Sequence, residues 1–195
     1  MAKKLRIRKS KEIEFCELMG LLLSSGVPIL DIFDTLATHF ERESSLGRAI
    51  LRVKQGVCEG KSMTVPMREI GFAESLCATV GVGEANGLLD TCFIKYAVLL
   101  REPKHSDEKR FFQFFAFFLD LGLNEQKSLM LTADHFGNAF YKRIMQVVQH
   151  IQNLQPLARA LKLEGFGVVA CCLVAASHTN DQLATALNRY ADLIS

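Results

Sequence analysis

The sequence predicts an all-α chain built as two tandem six-helix antiparallel bundles of about 90 residues each. Three observations carry that expectation. Strand-like alternation is nearly absent, whereas apolar residues recur at helical spacing along almost the whole chain. The same pattern returns later in the chain at a nearly constant offset. One polar stretch, Arg101 to Arg110, separates the two copies and contains Pro103.

Residues 1–11 form a basic arm. It holds Lys3, Lys4, Arg6, Arg8, Lys9 and Lys11, six of the chain's 23 Lys and Arg, and none of its 21 acids. Such an arm suits an anionic membrane surface, through residues 3–11, or an acidic protein face. No groove-reading motif stands behind it, so nucleic acid is not an expected partner.

The first unit spans residues 12–100. Phe15, Leu18, Leu21 and Leu22 mark one face of its first helix, which Ser24-Ser25-Gly26 ends. Gly26 and Pro28 set the first turn, with Pro28 opening the second helix. Ile29, Phe33, Leu36 and Phe40 give that helix an apolar stripe, and Asp31 and Asp34 lie near its positive end. Ser44 or Ser45 caps a third helix carrying Ile50, Val53 and Val57, which Gly60 closes. Ser62 to Glu69 reads as a short fourth helix that Pro66 limits or kinks. After Gly71, Phe72 to Val82 reads as a fifth helix.

Val82-Gly83-Glu84-Ala85-Asn86-Gly87-Leu88-Leu89 then reads as a tight corner. Asn86 is expected to N-cap a sixth helix running from Gly87 to about Leu100. The candidate site residues are Gly83, Glu84, Asn86 and Gly87, as a structural corner and partner contact. Glu84 has no second carboxylate placed for acid–base work, and the bland reading is a group accepting backbone N–H bonds at a helix start. Contact with a partner or a cation is the sharper alternative.

The second unit, residues 111–195, repeats this order. Phe111, Phe114, Phe117 and Phe118 match Phe15, Leu18, Leu21 and Leu22 at an offset of 96. Ile144, Val147 and Ile151 match Ile50, Val53 and Val57 at 94, as Gly165-Phe166 matches Gly71-Phe72. The corner is not kept: Gly83 to Gly87 becomes Ser177-His178-Thr179-Asn180-Asp181. Phe111, Phe112, Phe114, Phe115, Phe117 and Phe118 exceed what one helix face needs, so they form either core or an interface, including a homodimer contact.

No catalytic, cofactor-binding or metal-ligating residue is expected. Gly60-Lys61-Ser62 resembles the end of a phosphate-binding loop, but Gln55 stands where the loop needs its first glycine, and no strand precedes it. The five histidines show no zinc spacing; His39 and His135 read as helix-end residues. The six cysteines lack any C-x-x-C spacing and read mostly as small buried hydrophobes of a reducing compartment. The start has no apolar signal-peptide core, and no run is apolar and long enough to span a bilayer.

Three motifs in order carry a family resemblance: Leu22-Leu23-Ser24-Ser25-Gly26-Val27-Pro28-Ile29-Leu30, Glu59-Gly60-Lys61-Ser62-Met63, and the Val82 to Leu89 corner. With them the unit resembles the cytoplasmic domain of the type II secretion F family, the inner-membrane platform proteins of type II secretion systems and type IV pili. The resemblance covers residues 12–100 and, more weakly, 111–194. Members of that family carry two such domains and three membrane spans. Here Arg101 to Arg110 stands where the membrane hairpin would lie. The resemblance implies a non-enzymatic scaffold at the cytoplasmic face of the bacterial inner membrane. It also implies contact with the cytoplasmic assembly ATPase and with other inner-membrane secretion or pilus components. The alternative is a soluble helical adaptor or regulator derived from that family.

Overall fold

The structure is a computed structural model that describes residues 5, 7–101 and 106–194. Lys3, Lys4 and Arg6 of the basic arm, and the Pro103 part of the linker, lie outside the described residues. The described residues contain twelve α-helices and no strand. The chain divides into two compact units, Met1–Glu102 and Pro103–Ser195.

The first unit contains α1 (Lys9–Ser24), α2 (Ile29–His39), α3 (Ser45–Cys58), α4 (Thr64–Ile70), α5 (Glu74–Asn86) and α6 (Leu89–Arg101). Its main packing is α1 against α6, with α5 also on α6 and α2 on α3. Lys9 and Lys11, read from sequence as arm, are already helical. At the centre Phe15 packs edge-on against Phe93 at 6.0 Å and also meets Phe40 and Phe72.

Turn chemistry fixes how the helices enter this core. At the end of α1 the Val27 amide donates back to the Leu22 carbonyl, which requires Gly26 at φ +75°. Pro28 lies just outside α2, as its N-cap, and its carbonyl accepts from the Asp31 and Ile32 amides. Ser44 is the cap of α3 and accepts from the Gly47 amide at 2.9 Å. Pro66 sits in the first turn of α4, where its missing N–H costs nothing, so it neither limits nor kinks the helix.

The second unit contains α7 (Asp107–Asp120), α8 (Glu125–Ala133), α9 (Asn138–Gln152), α10 (Leu157–Leu163), α11 (Val168–Ala176) and α12 (Asn180–Leu193). Its helices pair as in the first unit: α7 on α12, α8 on α9, α11 on α12. Details repeat too. Gly122 holds φ +79° with Leu123 donating to Phe118, as Gly26 does after α1. Phe111 meets Phe166 at 4.7 Å, the counterpart of the Phe15–Phe72 contact.

All six phenylalanines of α7 are buried. Phe111, Phe112 and Phe115 lie in the hydrophobic core of the second unit, and Phe114 stacks on His135 at 4.0 Å. Among the cysteines, Cys16, Cys77, Cys92 and Cys171 are buried, whereas Cys58 and Cys172 are exposed, and all six are free thiols.

Candidate functional site: the Glu84 clamp

α5 runs through the expected corner and ends only at Asn86. Gly87, at φ +68°, is its C-cap, and the Leu88 amide closes back on the Gly83 carbonyl at 2.9 Å. Asn86 is therefore the last residue of one helix rather than the cap of the next. Its side-chain amide donates to the Val82 carbonyl behind it, at 2.8 Å. The sequence misled because Gly83 looks like a breaker. Gly81 and Gly83 both sit in a continuous helix at places where neighbours come close. A Cβ on Gly83 would lie 3.1 Å from Leu89 Cα and 3.2 Å from Cys92, so the bare residue lets α5 and α6 meet tightly. On Gly81 a Cβ would meet the Thr64 hydroxyl at 3.3 Å.

Glu84 lies on the last turn of α5, half-buried, and reaches the start of α4. Its Oε1 accepts from the Met63 amide at 2.6 Å. Its Oε2 accepts from the Ser62 hydroxyl at 2.6 Å, the Thr64 hydroxyl at 2.7 Å and the Thr64 amide at 3.2 Å. α4 has no side-chain cap of its own and no acid in its first turn. Glu84 fills that role from twenty residues away, satisfying amides that a helix start leaves orphaned. Burial pushes the carboxyl pKa up, but the hydroxyls of Ser62 and Thr64 and the amides of Met63 and Thr64 outweigh it. The net shift is downward. The arrangement is a clamp that ties the end of α5 to the start of α4.

The outer part of the corner has a different character. Ala85, Asn86, Gly87 and Leu88 are exposed. Leu88, an apolar side chain, is 52% exposed. So Gly83 and Glu84 work inward, while Asn86 and Gly87 present a surface.

The family described as "Type II secretion system (T2SS), protein F" matches this chain twice, over residues 15–115 and again over 111–195. The chain belongs to the type II secretion system protein F family. The chain is also similar to the type IV pilus assembly protein PilC of Myxococcus xanthus (strain DK1622), 36% identical over 92 residues. That match covers 47% of this chain and 22% of PilC, so the chain spans about a fifth of that relative's length.

In this F-family chain the clamp exists in one copy only. At the offset of 94, Ser62, Thr64 and Glu84 correspond to Pro156, Ala158 and His178. All three side chains of the clamp are absent together. α10 begins after Pro156 with no side-chain cap, and α11 stops at Ala176. Thr179 instead caps α12, accepting from the Gln182 amide. Ser62 and Thr64 are the site residues that sequence reading missed. Their joint loss with Glu84 in the second copy is the signal that could have found them.

Other features of this F-family chain fall elsewhere. Gly60, at φ +82°, ends α3, Lys61 pairs with Glu59 at 3.0 Å, and Ser62 belongs to the clamp, so Gly60-Lys61-Ser62 is a turn. Among the described residues no three His, Cys, Asp or Glu side chains converge to hold a metal ion. Among them, too, no helix is long and apolar enough to cross a membrane.

Proposed function

We propose that this chain is a scaffold module of a type II secretion or type IV pilus assembly machine, without an active site of its own. In this reading it works at the cytoplasmic face of the bacterial inner membrane. It contacts the cytoplasmic assembly ATPase and other inner-membrane components of the machine. The observation that carries the proposal is the double family match, once through each unit, beside the similarity to a protein named for pilus assembly.

The contact is assigned to the exposed rim of the first unit's corner, Asn86, Gly87 and Leu88. The clamp behind it fixes that rim: Glu84 anchors the last turn of α5, and Gly83 seats it on α6. A rigid rim with an exposed leucine loses little conformational entropy on binding. The second copy has neither clamp nor rim, so the two copies play unequal parts.

The test is a titration of the full chain against the assembly ATPase of the same genome, with Asn86→Lys and Leu88→Asp in parallel. Saturable binding tighter than about 100 μM, equivalent to about 5–6 kcal/mol, is expected. Both variants should weaken it while their helical circular dichroism is unchanged. Equal binding by both folded variants would move the contact away from the corner; no binding would overturn the ATPase reading.

A further inference from the structure

A cavity of about 570 Å³ opens where the start of α1 meets the α2–α3 turn. Its lining brings together two kinds of side chain. Among the described residues Arg8 and Lys11 supply cationic groups, His39 an imidazole and Glu41 a carboxylate. Ile7, Phe40 and Leu46 supply an apolar wall, and Ser44 and Ser45 complete the lining. The volume is within the range of small-ligand sites.

One of the two cationic side chains is not used up internally. The Arg8 side chain makes no hydrogen bond or ion pair among the described residues and is exposed, so its planar fork of donors is open to a ligand at the rim. Lys11 and His39 share a single carboxylate, Glu14, at 2.9 and 2.8 Å. Lys11 also lies over the Phe40 ring, 5.4 Å from its centre, which holds it beside the cavity. Ser44 already caps α3, whereas the Ser45 hydroxyl has no partner among the described residues. The chain leading to this rim carries Lys3, Lys4 and Arg6.

We infer that this cavity binds a phosphate ester, with Arg8 and Lys11 on the phosphate and the Ile7, Phe40 and Leu46 wall against its carbon skeleton. Arginine suits this chemistry because its two parallel N–H groups match two phosphate oxygens. An inorganic ion would leave the apolar wall unused; a glycerol-linked phosphate covers both halves. Two sources share that chemistry: the headgroup of an anionic phospholipid and a soluble phosphate monoester. The inference stands apart from the ATPase reading, which concerns a different end of the unit.

The test uses the full chain in two arms. In the first, co-sedimentation is measured with phosphatidylcholine vesicles containing about one-third phosphatidylglycerol. Arg8→Gln/Lys11→Gln is compared with Lys3→Gln/Lys4→Gln, which removes the same charge from the preceding stretch of the basic arm. In the second, glycerol 1-phosphate is titrated while the amide signals of Ser45 and Leu46 are followed by NMR. Arg8 and Lys11 are both exposed, and circular dichroism verifies that each variant keeps the fold.

The cavity variant should lose about tenfold more vesicle affinity than the arm variant, which identifies the lipid headgroup as ligand. Saturable shifts at Ser45 and Leu46 that vanish in the cavity variant, without vesicle binding, identify a soluble ester instead. Equal losses by the two variants, with no saturable shift, would overturn the site and leave only diffuse attraction by the basic arm.

Discussion

Glu84 and Thr64, twenty residues apart, are joined twice: the Thr64 amide and hydroxyl both donate to Oε2, at 3.2 and 2.7 Å. With Ser62 and the Met63 amide this makes four donors on one carboxylate. Removing it leaves the start of α4 without a cap and two amides without their acceptor. Glu84→Ala should therefore cost about 2 kcal/mol, since hydrogen bonds to a charged group outweigh neutral ones. Asn86→Ala removes one exposed bond to Val82 and should cost less than about 0.5 kcal/mol. Urea unfolding of the two variants, followed by circular dichroism, measures the difference.

Acid should weaken the same clamp. The Glu84 carboxyl titrates below its ordinary value in the folded chain, because its four donors outweigh burial. A carboxyl with a depressed folded pKa contributes stability above its unfolded value, near about 4.3, and loses it as pH falls through the lower folded value. Glu14, held down by its hydrogen bonds to His39 and Lys11, acts in the same direction. The urea midpoint should fall as pH drops below about 4.5. The gap between the natural chain and Glu84→Gln should narrow over the same window. A gap that stays constant from neutral pH to the point of acid unfolding would mean the clamp carries no linked proton.

The helices and the repeat were legible because both are written in short-range periodicity. Phe15 and Phe111, or Gly26 and Gly122, announce their roles through spacing that a single chain displays twice. The clamp was not legible for a physical reason: Glu84 acts on a helix start that precedes it by twenty residues, and only the fold brings them together. Gly83 also disguised the helix that carries it. It serves close packing, while the true end is marked by Gly87, where the backbone turns left-handed. The buried α7 phenylalanines show the opposite limit. Composition alone did not divide core from interface there, since that depends on which neighbours arrive.

Leu154 occupies the place of Gly60 in the second copy, and it keeps the same left-handed backbone, φ +61° against +82°. The turn bonds match as well: Gln155 donates to His150 as Lys61 donates to Gly56. A leucine there clashes with its own backbone and, at 92% exposed, gains no burial in return. Leu154→Gly should stabilise the chain by about 1 kcal/mol. A rise in the thermal midpoint checks it.

The thiols report the packing directly. Cys58 and Cys172 are exposed, so two of the six should react rapidly with an aromatic disulfide reagent near pH 8. Burial raises the other four, Cys77 to about 12 and Cys16 well above its ordinary value. Burial likewise raises Cys92 and Cys171. Those four should react only after denaturant is added.

The two copies also supply a matched pair of tyrosines. Tyr96 is fully buried in α6, and its hydroxyl meets the Ser75 hydroxyl at 2.8 Å. Ser75 is itself 1% exposed, so Tyr96→Phe strands a buried hydroxyl that water cannot reach. Tyr190 is the counterpart in α12, but Val169 stands where Ser75 would be. Its ring packs edge-on against Phe112 at 5.2 Å, a contact that phenylalanine keeps. Tyr96→Phe should therefore cost about 1–2 kcal/mol and Tyr190→Phe less than about 0.5. The comparison needs no outside reference, because the same substitution is made at the same helix position twice. Equal costs in urea unfolding would show that the Ser75–Tyr96 bond contributes nothing beyond the ring.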